Sequence, residues 1–199
     1  LYAEPRYVTD VITDNALAFL EAQAGSDRPF YLGVHYTAPH SPWDRGNHPA
    51  DLYDSYRHDC PFESVPHLPM HPWQVNSAPV GQDDAGRRDV LSGYFSAVTA
   101  MDANVGRLLD WLEAHGLREN TLVIFTGDNG MNMGHHGLYG KGNASFPLNM
   151  FDTSVKVPML LSQPGTVAQG IVNRDLLSHY DLLPTLLARV GLAGAVPEG

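Results

Sequence analysis

The chain has 199 residues, of which 43% are hydrophobic, and a formal net charge of −10. This length and apolar content are enough for one globular domain with a hydrophobic core. The acidic balance disfavours nucleic-acid binding, which requires a basic surface. The sequence has no run of about 18 apolar residues, so it predicts no transmembrane helix and no membrane partner. A single cysteine, Cys60, excludes an internal disulfide and leaves the cellular compartment open.

The first predicted elements are a helix and a strand. Residues 9 to 24 place apolar side chains at a 3.6-residue period, which predicts a helix. Residues 30 to 36 are largely apolar and are predicted to form a strand. His40 follows this strand, with Pro39 before it and Pro42 after it, and prolines restrict the backbone. Taken alone, this position is compatible with a ligand-binding histidine and with an ordinary structural or exposed one.

The middle of the chain combines a predicted loop with a predicted helix. Residues 44 to 86 are polar and rich in histidine and proline, which predicts a long variable loop. Its histidine spacings match no zinc-ligand signature, so we predict no zinc site there. Residues 87 to 115 form the clearest helix, because seven apolar residues advance along it in steps of three and four. These residues are Val90, Tyr94, Val98, Met101, Val105, Leu108 and Leu112. Asn104 lies off this stripe. We expect its side chain either at the surface or in contact with residues that form a ligand site.

The next predicted strand, from Leu122 to Phe125, ends at Gly127-Asp128-Asn129-Gly130. Ligands in open α/β sheets bind beyond the carboxyl ends of the strands. The Asp128 carboxylate and the Asn129 amide carbonyl are hard oxygen donors that suit Ca²⁺ or Mg²⁺. A glycine-rich loop containing His136 then leads to Lys141, whose charge suits an oxyanion. The alternative is an ordinary polar turn, since Asp, Asn and Gly are common turn residues.

Two further elements complete the predicted fold. Val157 to Leu161 is a predicted strand, and its proline indicates an edge or a strand start. Ser178 to Val190 is a predicted helix, in which Pro184 is tolerated if Asp181 or a neighbour caps the first turn. Strands that alternate with helices predict an α/β fold with a mostly parallel sheet flanked by helices.

Several ordered motifs resemble the sulfatase family of the alkaline-phosphatase-like superfamily. They are Ala38-Pro39-His40-Ser41-Pro42, Asp128-Asn129-Gly130, Gly134-His135-His136-Gly137-Leu138-Tyr139-Gly140-Lys141-Gly142, Met150-Phe151-Asp152-Thr153-Ser154-Val155-Lys156-Val157-Pro158-Met159 and Ser178-His179-Tyr180-Asp181-Leu182-Leu183-Pro184-Thr185. The resemblance covers most of the chain and is weakest from about residue 44 to 87. It implies a partial alkaline-phosphatase-like sandwich, so we expect residues 1–199 to be a single-domain fragment of a sulfatase catalytic domain.

The resemblance also implies roles for the site residues. Asp128 and Asn129 would bind the metal, Ca²⁺ or Mg²⁺. Lys141 would contact the sulfate as a catalytic and substrate-binding residue. His40 would act catalytically on the sulfate or the leaving oxygen, and His136 would help to bind the substrate. That substrate would be a small sulfate ester or a sulfated sugar.

Sulfatases use a Cys or Ser that is oxidised to formylglycine, with Pro two residues and Arg four residues after it. Phe62 and Ser64 stand at those positions after Cys60, and no matching string occurs in the 199 residues. The resemblance therefore implies that the nucleophile and the remaining metal carboxylates lie upstream, so we expect this piece alone to be inactive. We also expect exposed sheet edges and apolar surface, which favour self-association.

Two other interpretations stay open. A metal-dependent phosphodiesterase or phosphonate hydrolase of the same superfamily would share Asp128. Such enzymes usually bind transition metals, often with His in place of Asn129, so Asn129 favours Ca²⁺. A non-catalytic pseudoenzyme module would carry the same residues in ordinary acidic turns. Within the sulfatase interpretation, region 44–86 helps to shape the substrate pocket, which would place Trp43 and Trp73 at its rim.

Overall fold

The computed structural model describes residues 6–75, 78 and 83–195. The chain divides into two compact units, one reaching Val167 and the other beginning at Ala168. Within the described residues, the first unit holds α1 (Val8–Gln23), α2 (Ala50–Asp59), α3 (Asp84–Ala114), α4 (Asp152–Val155), β1 (Val123–Thr126), β2 (Asn132–Met133), β3 (Tyr139–Gly140) and β4 (Met159–Ser162), and the second holds α5 (Leu182–Arg189). The single-domain assignment of residues 1–199 stays a prediction.

The described strands pair in two antiparallel ribbons. β1 pairs with β4, with Thr126 opposite Met159, and β2 pairs with β3, with Asn132 opposite Gly140. The parallel pairing predicted from the sequence is therefore not found between these strands. The predicted strand over residues 30 to 36 forms no ladder with any described residue, although exposed and half-buried side chains alternate along it. An extended segment becomes a strand only when a neighbouring strand shares its main-chain hydrogen bonds.

Helices α1 and α3 form close to their predicted bounds and pack against each other, and α2 packs on α3. The buried face of α3 differs from the predicted apolar stripe, because small residues form most of it. Its members are Leu91, Ser92, Gly93, Ser96, Ala97, Ala100, Asn104 and Leu112. A Cβ at Gly93 would lie 2.0 Å from the Trp43 carbonyl oxygen, so the small residue permits a close approach. Asn104, expected off the core, is buried and donates to Asp10 at 2.7 Å.

Helix α2 lies within region 44–86, for which the sequence predicts a long loop. It begins directly after Pro49, and its buried Tyr53 faces α3, where the Tyr53 hydroxyl donates to the Asp89 carbonyl oxygen at 3.3 Å. Tertiary packing thus stabilises a helix that has little apolar periodicity of its own. Residues 76, 77 and 79–82 of this region lie outside the described residues.

The two tryptophans predicted at the pocket rim lie in different environments. Trp43 is 4% exposed and belongs to the hydrophobic core, so its rim assignment is wrong. The core around it contains Phe62, Val65, Leu91 and Met133. Trp73 is 57% exposed, and its rim role stays a prediction.

The second unit is built around α5. Ser178 and Asp181 form a capping box, in which the Ser178 N–H donates to Asp181 Oδ2 at 2.7 Å. Pro184 then falls in the first turn of α5, where the missing N–H removes no intrahelical bond. The capping box closes the 3₁₀ turn His179–Asp181, whereas Asp181 gives α5 itself no side-chain cap, so the predicted cap of this helix by Asp181 is wrong. This helix, like every other helix in the described part of the chain, is too short or too polar to cross a membrane.

Candidate functional site

The candidate site begins where β1 ends. β1 stops at Thr126, and Gly127-Asp128-Asn129-Gly130 continue the chain. The Asp128 side chain is exposed, and no described residue forms an ion pair with its carboxylate. Asn129 Nδ2 donates to the Gly130 carbonyl oxygen at 2.9 Å, which leaves Asn129 Oδ1 as an unused acceptor. Both oxygen donors predicted from the sequence are therefore open to a ligand.

The chain after Asn129 lies directly against α4. The Gly130 N–H donates to the Ser154 carbonyl oxygen at 3.0 Å. A Cβ at Gly130 would lie 2.2 Å from the Thr153 carbonyl oxygen, a distance that real contacts do not show. Lack of space therefore requires glycine at this position. The contact fixes one end of the turn that carries Asp128.

A partly buried network of neutral polar side chains holds this region together, with Asn132 and Ser154 buried. We call it the amide network, and its members are Asn132, Asn149, Thr153 and Ser154. Asn132 is fully buried, and its Nδ2 donates to the Gly140 carbonyl oxygen at 3.1 Å and to Ser154 Oγ at 2.7 Å. Asn132 Oδ1 accepts from Thr153 Oγ1 at 2.6 Å, and Ser154 Oγ donates to Asn149 Oδ1 at 2.6 Å. Because each buried group has a partner, the network rigidifies the loops that it connects.

The amide network extends to the main chain beside Lys141. Asn149 Nδ2 donates to the Gly142 carbonyl oxygen at 3.1 Å and lies 3.5 Å from that of Lys141. The Lys141 side chain is partly exposed, and no described carboxylate pairs with its ammonium. The second lysine of the sequence, Lys156, instead donates to Asp152 at 2.6 Å. Lys141 is therefore the lysine whose charge is open to an anionic ligand.

His136 lies in the loop between β2 and β3, with a left-handed φ of 58°. Its exposed ring stacks on Phe151, with ring centroids 4.0 Å apart and planes 13° apart. Burial lowers the pKa of the neighbouring His135, and the nearby His136 lowers it further. The stacking fixes the plane of the His136 ring while its edge remains accessible.

Residues 66–75 cross this loop. A Cβ at Gly134 would lie 2.4 Å from the Pro66 carbonyl oxygen, so glycine permits the crossing. Gln74 Oε1 accepts from the Tyr139 N–H at 2.8 Å, and Gln74 Nε2 donates to the Tyr139 carbonyl oxygen at 3.1 Å. The His71 N–H also donates to the Gly137 carbonyl oxygen at 2.9 Å, so part of the region predicted to vary is bonded to the loop that carries His136 and to β3.

His40 lies on the turn that follows residues 30 to 36, and its side chain is exposed. His40 Nδ1 is 2.9 Å from the Ser41 carbonyl oxygen. A carbonyl oxygen only accepts, so Nδ1 carries the proton and Nε2 is the free ring nitrogen. Trp43 anchors the turn, since its indole Nε1 donates to the Pro39 carbonyl oxygen at 2.9 Å.

The structure connects some of the predicted site residues and not others. Gly130, Ser154 and Asn149 link the Asp128 turn to the main chain at Lys141. His40 belongs to another segment, and no hydrogen bond among the described residues joins it to the amide network. In the described ranges, no three His, Cys, Asp or Glu side chains form a group that could hold a metal ion. The catalytic, substrate-binding and metal roles of the five residues therefore stay predictions.

Sequence reasoning missed the amide network. Asn, Ser and Thr are common in loops, so Asn149 and Ser154 look like ordinary surface residues. One local signal was present at Asn132, which stands between the apolar Met131 and Met133. A lone polar residue in an apolar context indicates a buried and hydrogen-bonded group, which is what the structure contains.

Two curated relatives match nearly all of this chain. The ulvan-active sulfatase of Formosa agariphila is 32% identical over 197 residues, which cover 98% of this chain and 34% of the relative. The N-acetylglucosamine-6-O-sulfatase of Bacteroides thetaiotaomicron is 26% identical over 251 residues, with 95% of this chain and 44% of the relative covered. The chain therefore spans less than half of the length of either relative.

Two solved structures share the fold. The yidJ protein of Bacteroides fragilis, named as a sulfatase, superposes with a TM-score of 0.76 at 26% identity, over 96% of this chain and 38% of that one. The phosphonate monoester hydrolase SpPMH from Silicibacter pomeroyi gives a TM-score of 0.72 at 21% identity, over 96% of this chain and 42% of that one, which shows the fold alone. The predicted α/β, alkaline-phosphatase-like fold is confirmed. Because the sulfatase family model matches residues 2–192, the chain belongs to the sulfatase family.

Proposed function

We propose that this chain forms the cation-binding and sulfate-binding part of a sulfatase catalytic domain, and that the whole protein hydrolyses sulfate esters. The amide network is the observation that supports this best. It ties the turn that carries Asp128 and Asn129, whose oxygens are open, to the main chain of Lys141, whose ammonium is open. Oxygen donors and an unpaired cation on one rigid framework suit a metal-bound oxyanion.

Asp128 and Asn129 are the residues that would hold a divalent cation. A carboxylate beside an amide oxygen is a donor set of the kind that Ca²⁺ prefers, and Asn129 Oδ1 has no donor among the described residues. Calcium takes about six to eight oxygen ligands, so the remaining ligands would come from other parts of the whole protein. When bound, the cation would supply positive charge that offsets the charge on the sulfate oxygens.

Lys141 and the two histidines would act on the ester itself. Lys141 would donate from its ammonium to a non-bridging sulfate oxygen and oppose the negative net charge of the chain locally. His40 would give a proton to the leaving oxygen from Nε2 when both ring nitrogens are protonated, and it would keep the Nδ1 proton on the Ser41 carbonyl oxygen. His136 would contact the substrate with the free edge of its stacked ring.

The nucleophile belongs to the same proposal. We infer that the whole protein uses a formylglycine, formed within a Cys/Ser-x-Pro-x-Arg string. Cys60 lacks this context, since Phe62 and Ser64 stand where Pro and Arg would be required. We therefore expect the 199-residue chain alone to leave aryl sulfates intact.

Sulfated sugars are the substrate class that the relatives favour. The Bacteroides thetaiotaomicron relative is by name an N-acetylglucosamine-6-O-sulfatase, and so acts on a sulfated sugar. We propose the same class for the whole protein. Hydrolysis of aryl sulfates would then measure sulfatase activity in general, whereas hydrolysis of sulfated monosaccharides would measure substrate specificity.

The two lysines provide a matched test in the whole protein. Replacing Lys141 by alanine should lower kcat/KM for an aryl sulfate by about 10²–10³-fold, as for other groups that stabilise developing charge. Lys156→Ala should leave kcat/KM unchanged, because Lys156 is exposed and pairs with Asp152. Equal losses in both variants would contradict the assignment of Lys141.

Calcium binding provides a test that does not depend on turnover. Titration calorimetry on the whole protein should show Ca²⁺ binding that Asp128→Ala abolishes. Asp102→Ala is the matched control, because Asp102 is also exposed but lies on α3. Identical calcium isotherms for Asp128→Ala and the parent would favour a non-catalytic module with an ordinary acidic turn.

A phosphodiesterase or phosphonate hydrolase is the second candidate, and the shared fold of SpPMH is compatible with it. Such an enzyme should prefer aryl phosphate diesters or phosphonate esters over aryl sulfates, and should prefer a transition metal over Ca²⁺. A comparison of kcat/KM for an aryl sulfate and an aryl phosphate diester, each with Ca²⁺ and with Mn²⁺, separates the two candidates.

Self-association of the 199-residue chain is a further part of the proposal. Leu160 and Leu161 on β4 are 61% and 42% exposed, and β1 pairs only with β4 among the described strands. Apolar side chains on an exposed ribbon favour pairing between chains. Size-exclusion chromatography with light scattering should therefore show dimers or larger species, and a monodisperse monomer would contradict this expectation.

A further inference from the structure

His136 combines a strained main chain with an exposed ring. Its φ of 58° and ψ of 15° lie in the left-handed region, within a turn that the Gly137 N–H closes by donating to the Gly134 carbonyl oxygen at 3.0 Å. Glycine or asparagine usually occupies such a turn position, because other side chains strain the backbone there. A glycine would be accommodated more easily, so the presence of an imidazole at this position needs an explanation.

Core packing does not account for this conformation. Two non-glycine residues in the described part of the chain have a left-handed φ, Phe62 at 53° and His136 at 58°. Phe62 is 4% exposed and belongs to the hydrophobic core, so burial of its ring offsets the strain. His136 is exposed and gains no such burial. Strained residues of this kind concentrate at functional sites, so the strain indicates that the imidazole ring itself is needed at this position.

Stacking alone orients the His136 ring. The rings of His40 and His135 each have a main-chain hydrogen-bond partner, whereas neither ring nitrogen of His136 is bonded to a described residue. The Phe151 ring lies nearly parallel to the imidazole, with centroids 4.0 Å apart and planes 13° apart. A parallel stack covers one face of the imidazole and does not occupy the nitrogens, which lie in the ring plane. Phe151 therefore sets the plane in which His136 can form a hydrogen bond.

The Phe151 main chain is in turn held by α4. Its carbonyl oxygen accepts from the Ser154 N–H at 2.8 Å, which closes the first turn of this helix. The Ser154 carbonyl oxygen accepts from the Gly130 N–H at 3.0 Å and so fixes one end of the Asp128 turn. The same short helix therefore carries both the ring that stacks on His136 and the main-chain contact that holds the proposed metal-binding turn.

We propose that Phe151 is a positioning residue, which holds the imidazole plane of His136 at a set orientation relative to the Asp128 turn. This rests on the proposed function, in which His136 binds the substrate, and it adds the residue that orients this contact. Hydrogen bonds depend on angle, so an imidazole with a fixed plane binds a substrate oxygen better than a freely rotating one. Phe151 acts only through the His136 ring.

Nuclear magnetic resonance of the whole protein, labelled with ¹³C-histidine, tests the orientation without any ester chemistry. Protons over an aromatic face resonate upfield, so the His136 ring protons should be shifted upfield in the parent, and His136→Gln identifies their resonances. Phe151→Leu removes the aromatic face and should abolish the shift, whereas Phe151→Tyr retains the face and should keep it. The matched control is Phe146→Ala, which removes a 76% exposed phenylalanine of the same loop region and should leave the shift in place.

Kinetics of the whole protein test whether this orientation affects substrate binding. Phe151→Leu should raise KM for an aryl sulfate about fivefold, the usual contribution of one hydrogen bond, and should leave kcat unchanged. Phe151→Tyr should keep KM at the parent value. In a His136→Ala background, Phe151→Leu should have no further effect on KM, because the ring through which it acts is absent. A merely structural role of Phe151 would instead lower activity in both backgrounds.

The strain at His136 has a test of its own. His136→Gly and His136→Ala both remove the imidazole, but only glycine adopts the left-handed conformation freely. The glycine variant should therefore have a higher melting temperature than the alanine variant. The reverse order would show that the His136 main chain is not strained, and it would count against the proposal.

Three results would overturn the proposal. They are an upfield shift that survives Phe151→Leu, a KM that rises in His136→Ala but not in Phe151→Leu, and an equal effect of Phe151→Leu in both backgrounds. Failure of the proposed function gives a different pattern. If His136→Ala leaves KM unchanged, His136 does not bind the substrate, and the upfield shift then decides by itself whether Phe151 orients the ring.

Discussion

The molecule holds its candidate site residues in two different ways. The loop region, residues 127–156, carries Asp128 and Lys141 and is stabilised by hydrogen bonds among the partly buried neutral side chains of the amide network. The turn that carries His40 is instead held on the helices by Trp43, an aromatic side chain buried in the apolar core. Directional hydrogen bonds therefore hold the loop region, and burial of apolar surface holds the turn that carries His40.

This difference follows from what each region has to position. Hydrogen bonds depend on angle and distance, so a network of them fixes the orientation of the loops beside a cation and an anion. Apolar packing is non-directional, and it gives stability without setting the angle of an exposed ring. We infer that the loop region provides geometry, while the helices with Trp43 provide most of the stability of the first unit.

The largest effect on stability is expected at Trp43. Trp43→Ala should lower the free energy of unfolding by about 3–5 kcal/mol, because it removes a buried aromatic side chain and leaves a cavity. Urea unfolding at neutral pH, followed by circular dichroism, measures this loss. Trp73→Ala is the control and should change the free energy by less than about 0.5 kcal/mol, since Trp73 is largely exposed. Similar losses for the two variants would remove the contrast between buried and exposed aromatic residues.

A smaller effect is expected in the loop region. Asn132→Ala leaves Thr153 Oγ1 and the Gly140 carbonyl oxygen without their partner, which should cost about 2 kcal/mol of the free energy of unfolding. The exchange of the Gly130 N–H with solvent should also accelerate, because its acceptor, the Ser154 carbonyl oxygen, is no longer held.

Asn143→Ala is the matched control for Asn132, since Asn143 is exposed in the same loop region. It should change neither the free energy of unfolding nor the exchange at Gly130. If Asn132→Ala left exchange at Gly130 unchanged, the amide network would not position the Asp128 turn, and the distinction between the two regions would be lost.

The sequence predicted the helices better than their packing. The 3.6-residue pattern located α1 and α3, since apolar periodicity is a local property of the chain. It located the buried face of α3 only in part, because Gly93, Ala97 and Ala100 are buried through close helix approach and carry little hydrophobicity. Antiparallel pairing of β1 with β4 could not be predicted either, because register depends on a segment more than thirty residues away in sequence.

The candidate site could be predicted in part, because part of its sequence pattern is also local. Asp128 and Asn129 follow an apolar run and two glycines flank them, so their place at a strand end could be read locally. The partners of Asn132 come from two separate segments, β3 and α4, and one sequence contains no sign of which loop amide faces which hydroxyl.

The smallest of these effects is expected at the surface of the helices. Asp14 on α1 accepts from Arg107 on α3 at 2.5 Å and from Arg6 at 2.6 Å. The hydrogen bond from Arg107, followed by that from Arg6, lowers the pKa of Asp14. A carboxylate with a lowered pKa stabilises the fold above its unfolded-state value of about 3.9, and this contribution is lost as pH falls through the folded pKa.

Asp14→Asn should therefore melt below the parent at neutral pH, and the two melting temperatures should converge in acid, below the folded pKa of Asp14. Asp102→Asn is the control, because Asp102 is exposed on α3 and has no ion-pair partner among the described residues. Asn132→Ala sharpens the contrast: Asn132 does not titrate, so the melting difference that it causes should persist over the same pH range. A gap for Asp14→Asn that did not close in acid would show that Asp14 acts through packing rather than charge, as Trp43 does.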